Sequence, residues 1–282
     1  MRTPEDVRTA VSAVRRGSGT VSVVALVAGE PRPRVSVEAD VQHYSASTMK
    51  LPILVAAHRR AERGELDLDR PVTVHDDLDS VVAGVRFRVD PGEDSDPETW
   101  AALGREVSLR SLVERMVTVS GNLATNLVLE QVGLREVAAV LADAGCSERT
   151  QVVRGIEDYA ARDAGTDNLV TADDLARLMV ALAEGRLAGP EATAACETTL
   201  RAQTYRDGIP AGLPDDLLVG NKTGWIDGVN HDVALARAPG LPPVGVAVLV
   251  TAPGTPAERE AGIARITRAV WATMAVEGPA LP

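Results

Sequence analysis

Between Pro4 and Arg16 the apolar residues Val7, Ala10, Val11 and Val14 recur three and four positions apart, which predicts a helix, and Pro4 suits its first turn. The pattern then changes period. Thr20 to Val27 is rich in β-branched residues and reads as a strand; Arg34 to Glu38 reads as a second, after a turn around Gly29-Glu30-Pro31. From Ser47 a helical run carries Leu51, Leu54, Val55 and His58. Periodicity fades from His75 to Glu98, where eight acidic residues and the breakers Pro91 and Pro97 predict a long surface loop. Ser108 is placed to cap a helix with Leu112, Met116 and Val117 on one face, and further helices are expected over 123–131 and 134–144. The polar stretch 154–168 reads as a loop. Thr171-Ala-Asp-Asp174 resembles a capped start for a helix bearing Leu175, Leu178, Met179 and Leu182. Strands return over 217–220, 233–238 and 244–251, and the chain ends in an amphipathic helix over 256–274.

This order predicts an α/β unit joined to an all-α unit. Residues 1–45 and 212–282 would build one antiparallel sheet flanked by the terminal helices. Residues 46–211 would form an inserted helical lobe, with a site at the junction. At 282 residues the chain can bury a large core. With three Trp, three Tyr and one Phe, that core must be built from Ala, Val and Leu.

A net charge of -11 argues against nucleic acid and anionic membrane as partners, and no apolar stretch reaches membrane-span length. A small-molecule substrate and a monomer are expected. The N-terminus has no signal-peptide pattern, so a cytoplasmic protein is expected if Met1 is the native start, and a secreted or periplasmic one if a leader has been removed. Cys146 and Cys196 are too few for a disulfide framework and read as small buried residues. No His/Cys/Asp cluster has metal-ligand spacing, and no cofactor is expected.

Of the 29 basic residues only Lys50 and Lys222 are lysine. A buried lysine can lose its proton and act as a base, which an arginine cannot. Both lysines lie in short motifs. Ser47-Thr-Met-Lys50 at a helix start puts a hydroxyl and an amine one turn apart, near backbone N–H groups that favour a developing oxyanion. Ser120-Gly-Asn122 falls between two helices. Lys222-Thr223-Gly224 follows a strand, where a small residue at an exposed edge lets a substrate approach.

In this order the three motifs resemble those of class A β-lactamases and penicillin-binding proteins. The likeness extends over Met116–Gly133 and Asn221–Asp232 and spares only the acidic 75–98 stretch. It implies a β-lactamase-like fold and a serine hydrolase working through an acyl-enzyme on a β-lactam, amide or ester. Ser47 would be the nucleophile, Lys50 its base and Ser120 a proton relay to the leaving group. Asn122 would hold a substrate amide, Lys222 would raise the positive potential and Thr223 would grip a carboxylate. The N–H groups of Ser47 and Trp225 would form the oxyanion hole.

Three positions depart from the family pattern. Gly121 stands where class A enzymes commonly carry Asp. The deacylating acid would be Glu157, with Asp158 fitting about as well, on a loop opened by Arg154 and closed by Asp163 or Asp167. Many members place a carboxylate-binding arginine on the strand after Lys222-Thr-Gly, near where this chain has His231-Asp232; Arg201, Arg206 or Arg237 could substitute. An esterase, D-amino-acid peptidase or acyl transferase on the same scaffold, or a binder without turnover, are the competing readings.

Overall fold

The computed structural model describes residues 4–277. Met1, on which the expected localisation turns, lies outside the described residues. The sheet strands are β1 (Thr20–Val27), β2 (Val35–Val37), β3 (Leu218–Ile226), β4 (Val229–Arg237) and β5 (Val244–Thr251), and the longer helices are α1 (Glu5–Arg15), α2 (Lys50–Glu62), α3 (Leu109–Thr118), α4 (Asn122–Val132), α5 (Leu134–Asp143), α6 (Ala172–Ala183), α7 (Pro190–Arg201) and α8 (Pro256–Glu277).

The five strands form one antiparallel sheet in the order β2-β1-β5-β4-β3. β1 pairs with β5 from Thr20↔Thr251 to Val27↔Val244, so the two ends of the chain meet in the centre of the sheet. β1 is buried on both faces, and its period-two alternation divides its residues between two cores. Val21, Val23, Ala25 and Val27 pack with α1 and α8 on one face; Val24 and Leu26 join the core that α2, α3, α4 and α6 build on the other. α6 lies directly across β5 and β1, which puts it on the sheet as a covering helix.

Most predicted elements form where the periodicity places them, and Ser108 and Thr171 cap α3 and α6 through their side chains. Four expectations need correction. The run from Ser47 opens as a 3-10 turn over Ala46–Met49, and the α-helix starts only at Lys50. Pro52 has no N–H to return to the Thr48 carbonyl, so an α-helical bond cannot close there. The 75–98 stretch is more than a surface loop. Leu78–Asp79 pairs with Arg86–Phe87, Leu78 and Val89 are buried, and Asp96 is buried and caps a short helix over Pro97–Ala101. The 154–168 loop carries a short helix over Tyr159–Asp163. α7 has no counterpart in the sequence reading, its apolar face being made largely of Ala, Thr and one buried Cys196. Both cysteines are free thiols. No helix among the described residues is long and apolar enough to cross a membrane.

Candidate active site

The three motifs converge where the helical lobe meets β3, the edge strand of the sheet. Ser47 is half-buried, second in its 3-10 turn, directly after Ala46 at φ 43°. A Cβ added to Gly224 on β3 would stand 2.8 Å from the Ser47 backbone nitrogen and 3.0 Å from that of Thr48. Only a glycine lets the strand and the turn approach this closely.

Lys50 is wholly buried. Its Nζ donates to the carbonyl oxygens of Ser120 (2.6 Å) and Gly121 (3.3 Å), to Asn122 Oδ1 (3.0 Å) and to Ser120 Oγ (3.3 Å). Lys222, equally buried, donates to Ser120 Oγ (2.9 Å) and to the Thr223 carbonyl (2.7 Å). The Ser120 hydroxyl therefore lies between two amines. Burial lowers the Lys50 pKa from 10.5 to about 7, against the opposing pull of Asp94, Glu157 and Asp96. Lys222 is held well below the ordinary lysine range, first by burial and then by Lys50 itself, with Asp232 opposing.

Asn122 joins two halves of the site. Its Oδ1 accepts from Lys50, and its Nδ2 donates to Glu157 Oε1 at 3.1 Å. Glu157 Oε2 accepts from the Asp90 backbone N–H at 2.7 Å. Burial raises the Glu157 pKa above the usual carboxylate range. Asp158 points elsewhere. It accepts from Ser80 Oγ (2.8 and 2.9 Å), Val81 N (3.1 Å) and Ala161 N (3.1 Å), and so caps the short helix after it. The loop is closed by Asp167, 2.6 Å from the buried Arg154 guanidinium, whereas Asp163 lies beside Arg162 at 3.5 Å. Asn126 clamps the same loop by exchanging hydrogen bonds with both backbone groups of Ile156.

Ala46, Ser120 and Glu157 are three of the five non-glycine residues at positive φ among the described residues. Each such residue costs of order 1–3 kcal/mol, so the strain concentrates at the convergence point.

The acidic stretch supplies residues that the sequence reading left out. Asp94 accepts from the backbone N–H groups of Asn122 (2.8 Å) and Leu123 (2.9 Å) and from Trp100 Nε1 (2.8 Å). It caps α4 from another segment, because Gly121 at the N-cap position has no side chain to do so. Asp96 pairs with Arg115 and stands where a Gly121 side chain would go: a Cβ there would be 2.8 Å from both Asp96 Cβ and Oδ2. The departure at Gly121 thus has a steric cause. The density of acids over 75–98 was the sole signal in the sequence, and it does not distinguish a cap from a solvated side chain.

None of the three arginines reaches Thr223. Arg201 and Arg237 pair with Glu197, and Arg206 donates to the carbonyls of Arg201 and Val219. His231 offers no charge in their place. Its Nδ1 accepts from the Val250 N–H, its Nε2 donates to the Tyr44 carbonyl, and burial lowers its pKa to about 3. The Thr223 hydroxyl is buried without a hydrogen-bond partner among the described residues. Trp225 is half-exposed at the rim and meets Tyr205 edge-on, ring centres 4.7 Å apart.

Residues 5–274 match the family model described as the beta-lactamase enzyme family. A β-lactamase of Sphaerobacter thermophilus is 27% identical with TM-score 0.78, covering 97% of this chain and 98% of that one. A point mutant of the class A β-lactamase of the last common ancestor of Gram-negative bacteria is 26% identical with TM-score 0.81, covering 97% and 100%. PBP-A shares the fold at 21% identity and TM-score 0.78, covering 97% of both chains. No curated protein matches the chain.

Proposed function

The chain belongs to the beta-lactamase enzyme family, a class A-type serine hydrolase, and we propose that it works by acylation and deacylation of Ser47. The observation that carries this reading is the Ser120 hydroxyl held between two buried lysines, one of them with a pKa near 7. At neutral pH about half of Lys50 is unprotonated and can take the Ser47 Oγ proton as the oxygen attacks the acyl carbon. The backbone N–H groups of Ser47 and Trp225 stabilise the oxyanion. As the intermediate collapses, the bond from carbon to the leaving nitrogen or oxygen breaks. That atom takes its proton from Ser120 Oγ, which is resupplied by the Lys50 ammonium. Lys222 keeps the environment positive and favours the neutral form of Lys50. Asn122 and Thr223 orient the substrate.

Deacylation needs a base for water, and Glu157 fits better than Asp158. Its carboxylate is tied to Asn122 and hence to the Lys50 network, while the Asp158 oxygens are occupied in capping. The lack of a guanidinium near Thr223 favours a second reading of the substrate: an ester or amide other than a carboxylate-bearing penicillin.

Intact-protein mass after exposure to a panel of β-lactams tests the scheme. A drug-sized adduct, or drug consumption, is expected for wild type and not for Ser47→Ala. An adduct or undiminished consumption in Ser47→Ala refutes it.

A further inference from the structure

A cavity of about 310 Å³ opens beyond Thr223, between the β3–β4 hairpin, the 205–208 loop and the first turns of α8. One wall is aromatic, made by Trp225 and Tyr205; another carries Asp207 and Glu260, and Ile263 lies deeper. Thr223 lines the same space.

The charge around this cavity is one-sided. Neither Asp207 nor Glu260 forms an ion pair or side-chain hydrogen bond among the described residues, and the Arg259 charge acts on Glu260 less strongly than burial and Asp207 do. Glu260 is half-buried; burial and then the Asp207 charge oppose its ionisation, with Arg259 favouring it. The guanidiniums nearby are engaged elsewhere: Arg259 donates to Asn230 Oδ1 (2.6 Å) and to the carbonyls of Ala252 and Gly254, and Arg206 to the carbonyls of Arg201 and Val219. His231 is a buried neutral ring and Asp232 is committed to the Ile209 N–H and Asn221. The positive end of α8, roughly half a unit charge, and the Arg259 charge together do not cancel two carboxylates. The net field in the cavity therefore favours a cation, and an aromatic face beside it adds to that preference.

We infer that this cavity is the specificity pocket of the Ser47 centre and that it takes a positively charged substituent of the acyl donor, an ammonium or guanidinium group. The group lies against Trp225 with Asp207 and Glu260 as counter-charges, next to Thr223. This rests on the proposed acylation of Ser47. It predicts that a carboxylate at this end of the substrate is disfavoured.

Two measurements separate the pocket from the chemistry. In the first, the Ser47 acylation rate constant is compared for one cephalosporin carrying a free ring carboxylate, its methyl amide and its 2-aminoethyl amide. The cationic donor should exceed the carboxylate by about ten-fold or more, as expected for a partly desolvated cation between aromatic and carboxylate groups. In the Asp207→Asn/Glu260→Gln variant the ratio of cationic to neutral donor should fall to within about two-fold of unity. In the second, calorimetry on Ser47→Ala compares benzyltrimethylammonium with benzoate. Saturable binding of the ammonium alone, lost in the added double variant and exchanged for benzoate binding in Glu260→Lys, supports the pocket. No ammonium binding, or binding indifferent to these substitutions, or benzoate bound as well as the ammonium, overturns it. If no donor acylates Ser47, the hydrolase reading fails and calorimetry alone decides the pocket.

Discussion

The buried Lys50 makes the acid limb of the acylation rate a direct readout of the site. An exposed lysine at 10.5 is neutral in roughly one molecule in three thousand at pH 7, whereas at about 7 half the molecules hold a neutral amine. Burial thus raises the competent fraction by on the order of a thousand-fold. Below pH 7 that fraction falls about ten-fold per pH unit. Acylation should therefore fall about fifty-fold between pH 7 and pH 5. The same burial costs stability. Between about 7 and 10.5 the unfolded lysine binds a proton that the folded one does not, so stability rises with pH across that window. Below it the full cost, roughly 5 kcal/mol, is present. Glu157 has a raised pKa and could mimic such a limb, so the profile is best taken from quenched-flow mass spectrometry of Glu157→Gln, where only acylation is read. The limb should persist there and move to lower pH, because Glu157 raises the Lys50 pKa. Asp94→Asn removes the largest opposing charge at almost constant shape and should move it the same way. A rate flat down to pH 5 in Glu157→Gln, or a limb unmoved in Asp94→Asn, refutes Lys50 as the base.

Gly224→Ala places a methyl group against the Ser47 and Thr48 amides and should cost about 1–3 kcal/mol of stability, with acylation reduced on the order of a hundred-fold; thermal melts and adduct formation check both. Asp167→Asn leaves the Arg154 charge buried and half-partnered, which should cost about 3–5 kcal/mol and slow deacylation more than acylation. The second effect appears as a larger burst over a slower steady state, and equal losses in both steps would count against Glu157 acting through this loop. Gly121→Ala collides with Asp96 and should lower the melting temperature by the equivalent of about 1–3 kcal/mol. Adding Asp96→Gly removes the clash but leaves Arg115 with Glu98 alone and uncaps the short helix at Thr99, so the double variant should recover part of the loss; no recovery would mean the clash is not its cause.

Much of this molecule was legible from local order. Strands β1 and β5 and helix α1 follow from β-branched runs and three-four spacing. The capped starts at Ser108 and Thr171 follow from side chains that satisfy their own helix. The motif residues were legible because their chemistry is rare in this chain: two lysines among so many arginines. Elements without a periodic apolar face were not. α7 is held by what packs on it, and the 3-10 turn before Lys50 follows from a left-handed Ala46 and a proline four residues beyond Thr48. The sequence reading chose Glu157 with Asp158 fitting about as well, and left Asp163 or Asp167 open. Neighbouring acids on one loop differ only in which way the folded backbone turns them, and Glu157 at φ 63° is turned towards Asn122.

By itself, then, the sequence determined most of the order of elements and the candidates for the reacting groups, since both depend on short-range pattern and residue type. Only the tertiary structure decided which acids are caps, which arginines are spent on Glu197, and that the space beyond Thr223 is lined with carboxylates. Those are properties of distance between segments remote in the chain, from Asp94 to Asn122 and from Asp207 to Glu260, and no local spacing encodes them.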